Sequence, residues 1–212
     1  MRNIPVFTTE FGVASLILKE IPYSQTAYIR IQSSLDPEAL LQECVGFCRA
    51  AGAEFICATG HDILNQYPIQ SRVLKMEILR TVLADTEAEA VPVTAETLSS
   101  WRESYNSLMV SVDNASYMTE LDSKQMLQRE DGYFVYRDNA PIGILMTSGC
   151  KLDAVASLVP GGGKDSVLAA KKILTSEKVE LEVADTNFAA IRLYERLGFT
   201  HTGTAAVWYK IL

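Results

Sequence analysis

The segment 183–199 (VADTNFAAIRLYERLGF) constrains the fold more than any other part of the sequence. It begins as an apolar strand end, and Asn187 is placed to cap the helix that follows, since its side chain can accept from a first-turn amide. Tyr194 lies seven residues further on, on the same stripe and about 10 Å along the helix axis. Gly198 predicts a left-handed helix end on which Phe199 can pack. On spacing alone, Asn187 is a cap and Tyr194 a core residue.

The rest of the second half also alternates between strands and helices. Apolar patterning predicts an edge strand at 91–94, helices at 98–109 and 120–129, a hairpin of 133–136 with 142–146, a strand at 154–159, a helix at 165–174, a strand at 179–183, and two strands after the helix 187–197. This order predicts an α+β domain on a mixed sheet. The acidic segment 85–90 predicts a linker, and hence domains 1–88 and 89–212.

The first half has a β-β-α-β-α pattern and is predicted to be a smaller α/β domain. Strand-like runs occupy 12–18, 23–31 and 53–58. Between the last two, Asp36 and Pro37 predict the start of a helix, because Asp can cap and Pro suits the first helical position. A second helix is predicted from 71 to 83, where Val73, Met76, Leu79, Val82 and Leu83 recur at near-helical spacing.

Composition narrows the class of protein. Hydrophobic residues make up 48% of the 212 residues and charged residues 21%, as in a globular protein with its own core. The net charge of −7, without a basic run, argues against a nucleic acid partner. No apolar run reaches the ~18–20 residues of a membrane span, and no signal-peptide pattern is seen. We expect a cytoplasmic protein with no membrane partner.

The cysteines predict reduced thiols rather than a metal site. Cys44 and Cys48 share a predicted helix, Cys57 lies in a predicted strand, and Cys150 precedes another. The sequence has no C-x-x-C pair and no His at ligand spacing, so no metal cofactor is expected. Cys150 as a nucleophile is an alternative to a buried or edge thiol.

The letters of 187–199, N-x-x-A-x-x-L-Y-E-x-x-G-F, closely resemble the C-terminal motif of the GCN5-related N-acetyltransferase (GNAT) superfamily. The resemblance extends over residues 90–212 and implies a mixed, mostly antiparallel sheet flanked by helices. It implies that acyl-CoA enters between two strands that part, those ending at Val159 and Val183, with Leu158 and Val159 against the pantetheine. It also implies cofactor contacts from Asn187 and Ala190.

The same resemblance implies that Tyr194 contacts the cofactor and protonates the departing CoA thiolate. A phenol with its ordinary pKa near 10 is protonated at neutral pH and can donate once the thiolate forms. The expected reaction is transfer of an acyl group, most simply acetyl from acetyl-CoA, to a small-molecule or peptide primary amine by direct attack. The alternative is a non-catalytic acyl-CoA sensor or interaction protein.

A glycine loop, Val159-Pro160-Gly161-Gly162-Gly163-Lys164-Asp165-Ser166, precedes the helix at 165–174. Free amides at a helix start suit a pyrophosphate, so the loop residues Gly161, Gly162, Gly163, Lys164 and Ser166 are predicted cofactor contacts. The GNAT pattern here is Q/R-x-x-G-x-G/A. This chain lacks the Arg or Gln, and Asp165 stands where the family has glycine or alanine. Asp165 would either repel phosphate or cap the helix.

The loop letters also resemble the S-G-G-x-D-S loop of ATP pyrophosphatases, with Gly161 in place of the Ser. That loop follows the first strand of a large domain, whereas only 46 residues follow Ser166 here. A general base is not evident. The candidates are carboxylates and imidazoles that are equally consistent with a structural role: Asp153, Glu180, Glu182, His61 and His201.

The first half could be a degenerate, truncated GNAT-like copy. It shares a weak echo of the element order of the second half but lacks the N-x-x-A-x-x-L-Y letters and a phosphate loop. The resemblance also suggests a tandem arrangement and a homodimer.

Overall fold

The computed structural model describes residues 5–212, which divide into two compact units. Unit 1 runs to Arg72 and includes Ala206–Leu212, and unit 2 is Val73–Ala205. Residues 85–90, where the sequence predicts a linker, lie within unit 2. No helix in this described part of the chain is long and apolar enough to cross a membrane.

Unit 1 packs one long helix on a small sheet. Its elements are β1 (Val6–Thr9), β2 (Gly12–Ile17), α1 (Ile21–Ser24), β3 (Thr26–Ser34), α2 (Pro37–Ala50) and β4 (Phe55–Thr59), followed by a 3₁₀ turn at Asp62–Gln66. The predicted start of α2 is confirmed, because the Asp36 side chain accepts from the Ala39 amide at 3.1 Å and Pro37 follows it. Leu40, Cys44 and Cys48 of α2 are fully buried in the core of this unit.

Unit 2 carries most of the helices. Its elements are β6 (Glu89–Pro92), α3 (Leu98–Met109), α4 (Glu120–Gln128), β7 (Gly132–Arg137), β8 (Ala140–Ser148), β9 (Lys151–Ser157), α5 (Gly162–Ile173), β10 (Lys178–Ala184) and α6 (Phe188–Leu197). One core cluster gathers apolar residues of α5, α6, β8 and β10. A second is built around Trp101, whose indole N–H donates to the Tyr133 carbonyl at 3.0 Å.

Two strands of eleven residues, β5 (Ile69–Leu79) and β11 (Thr200–Lys210), have residues in both units. The strand order is β1-β2-β3-β4-β11-β5-β10-β9-β8-β7-β6 in one sheet. The predicted α+β class, with a mixed and mostly antiparallel sheet flanked by helices, is confirmed. The separate sheet expected of a smaller N-terminal domain is not seen, because β5 and β11 are common to both units.

The helix predicted over 71–83 is wrong: this segment forms β5 and a short 3₁₀ turn at Arg80–Val82. Leu74, Met76 and Ile78 alternate at the period of a strand and pack into the core of unit 2. β5 pairs antiparallel with β10, from Val73 opposite Ala184 to Leu79 opposite Lys178. The two terminal strands expected after 197 are the single long strand β11.

Candidate functional site

The central feature of unit 2 is a gap between two neighbouring parallel strands. β9 and β10 pair only where they begin, at Lys151 with Glu180 and Leu152 with Leu181. Beyond this point β9 stays paired with β8 as far as Ser157, and β10 stays paired with β5 as far as Ala184. The facing edges of β9 and β10 therefore part, and each offers main-chain groups that lack a partner strand.

Unit 1 contains a comparable order of elements without a gap. Its parallel strands β3 and β4 stay in register from Thr26 with Phe55 to Arg30 with Thr59. Gly60 follows directly, and a Cβ there would lie 2.3 Å from the Ile31 carbonyl oxygen. The two strands of unit 1 are thus closed against each other, and only unit 2 of the described chain has parted strands.

The glycine loop joins the open end of β9 to α5. Gly161 adopts a left-handed conformation with φ of 83° and precedes the first turn of the helix without a side-chain cap. A Cβ on Gly162 would lie 2.2 Å from the Ile142 carbonyl oxygen, and one on Gly163 would lie 2.9 Å from Ser157 Oγ. The close packing explains the glycines, and the uncapped first turn presents amides that favour an anion.

Asp165 neither caps α5 nor stands unpaired. Its Oδ2 accepts from Arg137 Nη1 at 2.5 Å, and the Thr86 hydroxyl donates to its Oδ1 at 3.5 Å. Of the two alternatives drawn from the sequence, helix capping by Asp165 is not found in the described chain, and repulsion of phosphate stays a prediction. Lys164, the preceding residue, is exposed.

The other predicted loop residues have distinct surroundings. The Ser166 hydroxyl is fully buried and donates to the Gly162 carbonyl at 2.8 Å, so it supports the loop from inside. The Leu158 amide donates to the Ile142 carbonyl at 2.9 Å, and its side chain packs on the Trp101 cluster. The Val159 side chain is 36% exposed, next to the open end of β9.

The predicted capping of α6 is confirmed. The Asn187 side chain accepts from the Ala190 amide at 3.2 Å, and Ala190 packs against the core. Gly198 ends the helix in a left-handed conformation with φ of 96°. Phe199 then folds back onto Tyr194, with ring centroids 5.6 Å apart. α6 thus starts at the open end of β10, opposite the glycine loop on β9.

Tyr194 is largely buried, with 8% of its surface exposed. Burial disfavours the phenolate and raises the Tyr194 pKa to about 12. Within residues 5–212, its hydroxyl has no hydrogen-bond partner. The side chain is therefore a neutral phenol at any physiological pH, and its hydroxyl can still donate a hydrogen bond.

The candidate carboxylates differ in their partners. Glu182 of β10 pairs with Lys151 of β9, Nζ to Oε1 at 3.2 Å, across the point where the strands part. Asp153 accepts from the Ser148 hydroxyl at 2.6 Å. Glu180 is half-buried, lies directly opposite Glu77 of β5, and forms no ion pair within the described chain.

The remaining candidates take structural or peripheral positions. His61, in unit 1, accepts from the Ile63 amide through Nδ1 at 3.1 Å and caps a 3₁₀ turn. His201 is exposed on β11. Cys150 is half-buried at the paired end of β9, and its carbonyl accepts from the Glu180 amide at 3.1 Å. None of the four cysteines forms a disulfide, and no cluster of three or more metal-ligating side chains is found in residues 5–212.

Two features of the site have no local sequence signal. Arg137 meets Asp165 from 28 positions away, and the Thr186 hydroxyl donates to Asp113 across 73 positions at 2.7 Å. Asp113 lies in the loop between α3 and α4, whose end is fixed by two hydrogen bonds between the Asn106 side chain and the Met118 backbone. Only the tertiary fold brings these groups together.

Comparison with solved structures identifies the fold. A GCN5-related N-acetyltransferase from Sphaerobacter thermophilus superposes with a TM-score of 0.60 at 11% identity, over 93% of this chain and 75% of its own. One from Kribbella flavida gives 0.56 at 16% identity, over 99% and 90%. The fold is that of the GCN5-related N-acetyltransferases. A conserved protein of unknown function from Staphylococcus epidermidis also matches, at 0.60 and 11% identity, over 99% and 94%.

This GNAT similarity covers both units, whereas the sequence resemblance pointed only to residues 90–212. The expectation of a GNAT fold in the second half beside a degenerate first half is not confirmed by this similarity. No protein-family model matches the sequence, and no curated protein matches it.

Proposed function

We propose that this protein is an acyl-CoA-dependent N-acyltransferase that transfers an acetyl group from acetyl-CoA to a primary amine. The observation that carries the proposal is the parting of β9 and β10 beside an uncapped helix start. Parted strands offer main-chain donors and acceptors to an extended amide chain such as pantetheine. The first turn of α5 offers amides and a positive dipole end to a pyrophosphate.

Specific residues would hold the two parts of acetyl-CoA. The pantetheine would lie along β9 near Leu158 and Val159, and the pyrophosphate would lie on the amides of Gly161, Gly162 and Gly163 beside exposed Lys164. Asn187 and Ala190 would border the cofactor from the start of α6. Ser166 would support the loop rather than contact the cofactor, because its hydroxyl is turned inward.

In the proposed reaction the neutral amine attacks the thioester carbonyl, so that an N–C bond forms and the C–S bond breaks. Backbone amides at the parted strands would stabilise the oxyanion. Tyr194 would give its hydroxyl proton to the leaving thiolate, and the proton lost by the amine would pass to a base. Of the carboxylates, Glu180 suits that role, since Glu182 and Asp153 already have partners.

A titration of the purified protein with acetyl-CoA tests the proposal. Micromolar binding, about −8 kcal/mol, would raise the melting temperature at saturating ligand and justify a screen of primary amines. No binding at millimolar acetyl-CoA would contradict it. Binding without turnover of any amine would instead favour the alternative, an acyl-CoA sensor.

We also propose that unit 1 is a degenerate GNAT-like copy. Apart from the four-residue helix α1, the order β1-β2-β3-α2-β4 repeats β7-β8-β9-α5-β10, which supports the idea. The closed β3–β4 pair leaves no room for a second acyl-CoA. A cytoplasmic, homodimeric protein is the setting we propose, and gel filtration with light scattering tests the dimer.

A further inference from the structure

Asp165 is the residue of the glycine loop that most disfavours an anion. It lies in the first turn of α5, one residue after Lys164 and three after Gly162. A helix rises 1.5 Å per residue, so this carboxylate lies within about one Debye length of any phosphate held at the α5 start. Left unpaired, it would oppose the phosphate charges and weaken their binding.

Arg137 offsets the negative charge of Asp165. It comes from the end of β7 and meets the carboxylate at 2.5 Å, while Thr86 donates to the other oxygen. Only 18% of the Asp165 side chain is exposed, so the pair is partly shielded from water. Charges interact more strongly where water is excluded. The formal charge of Lys164, Asp165 and Arg137 together is +1, and it would be zero without the arginine.

We infer that Arg137 is a positioning residue for phosphate binding: by pairing with Asp165 it keeps the start of α5 receptive to the pyrophosphate of acetyl-CoA. Arg137 acts through Asp165, and the inference rests on the proposed function. It predicts a defect confined to the phosphate-bearing part of the ligand and cured by removing the carboxylate.

The other end of α5 supplies a matched control. Lys171 pairs with Asp85, Nζ to Oδ1 at 2.6 Å, which is also an ion pair between α5 and a neighbouring segment of unit 2. Lys171 lies six residues beyond Asp165, nearly two turns further from the glycine loop. Loss of this pair should affect helix attachment as much as loss of the first, without altering the charge at the α5 start.

The experiment measures binding of acetyl-CoA and of S-acetylpantetheine, which lacks the phosphates, by calorimetry. Arg137→Gln should weaken acetyl-CoA binding by about tenfold and leave S-acetylpantetheine binding unchanged. The double variant Arg137→Gln/Asp165→Asn should bind acetyl-CoA like the wild type. Lys171→Gln should change neither affinity. The defect of Arg137→Gln should shrink as salt is raised, because screening weakens the repulsion.

The inference is overturned if Arg137→Gln binds acetyl-CoA as the wild type does, if it loses both ligands equally, or if Asp165→Asn fails to restore it. Thermal melts of each variant separate these results from a folding defect, and the double variant restores the charge balance without restoring the ion pair. Absence of acetyl-CoA binding by the wild-type protein would instead refute the proposed function, and this inference with it.

Discussion

At the scale of single residues, Tyr194 combines burial with an unused hydroxyl. The ring packs on Phe199 in the core, and no described residue accepts a hydrogen bond from its oxygen. A core tyrosine usually finds a partner for its hydroxyl. A donor held in place without one is therefore available to a ligand.

Replacing Tyr194 with Phe should lower kcat by about a hundredfold while leaving acetyl-CoA affinity nearly unchanged, because only the proton donor is lost. The melting temperature should hold, since no hydrogen bond within the protein is broken. Steady-state kinetics and calorimetry measure the two quantities. An unchanged kcat would remove Tyr194 from the reaction.

The raised pKa of Tyr194, about 12 against an ordinary value near 10, also predicts a pH dependence of stability. Above pH 10 the unfolded chain loses this proton more readily than the folded protein does. The stability that the buried neutral phenol contributes is therefore fully present below pH 10 and is lost as the pH rises toward 12. At alkaline pH the free energy of unfolding of the wild type should therefore fall by about 2–3 kcal/mol more than that of Tyr194→Phe. Denaturant titrations from pH 9 to 11 follow its onset, and identical slopes would contradict the assignment.

The cysteines should differ in reactivity. Cys44, Cys48 and Cys57 are buried, and burial raises the pKa of Cys44 to about 12 and that of Cys48 to about 11, which suppresses the reactive thiolates. Cys150 is half-buried. A coloured thiol reagent should therefore modify one cysteine rapidly in the native protein and all four after denaturation, with Cys150→Ser abolishing the fast phase. Rapid reaction of two or more thiols would speak against the burial of Cys44, Cys48 and Cys57.

At the scale of elements, the start of α5 depends on glycines that let backbone approach backbone. Gly162→Ala would place a Cβ 2.2 Å from the Ile142 carbonyl oxygen, so the helix start must shift. We expect a loss of about 1–3 kcal/mol of stability and weaker acetyl-CoA binding. Gly46→Ala in α2 is the control, because a Cβ there meets nothing within 4 Å and should stabilise the helix. Thermal melts distinguish the two, and equal effects would refute the close approach.

Elements with strong local signals were predictable from the sequence. The caps at Asp36 and Asn187 and the glycine end at Gly198 depend on neighbours within a few residues, and the structure has each of them. β5 was not predictable in this way, because its apolar residues fit both a helical and a strand period, and its pairing with β10 decides between them. The Arg137–Asp165 pair could not be predicted for a related reason, since charge pairing across 28 residues leaves no local pattern.

At the scale of the whole molecule, β5 and β11 each contribute residues to both units. Breaking either strand disturbs both cores, so we expect the two units to unfold together. Each unit has one tryptophan: Trp101 is buried in unit 2, and Trp208 packs on Tyr28 in unit 1 at 5.2 Å between ring centroids.

The single-tryptophan variants Trp101→Phe and Trp208→Phe make this testable, because each leaves a fluorescent reporter in one unit. The fluorescence transition of each variant in urea should coincide with the transition of its own far-ultraviolet circular dichroism. Either variant shifts the midpoint by its own packing loss, so the comparison is made within a variant. A reporter that changes before the circular dichroism would mean that the units unfold separately.

The short register between β9 and β10 has a consequence for how the sheet meets water. Unpaired strand edges usually lie at the two sides of a sheet. Here the neighbouring central strands β9 and β10 each have an unpaired edge beyond Leu152 and Leu181. Main-chain amides on those facing edges should exchange with deuterium faster than amides paired to β8 and β5. A ligand that supplies amide groups along the gap would act as the missing strand, and protection at those positions would record its arrival. The middle of this sheet is in that sense incomplete until something is bound.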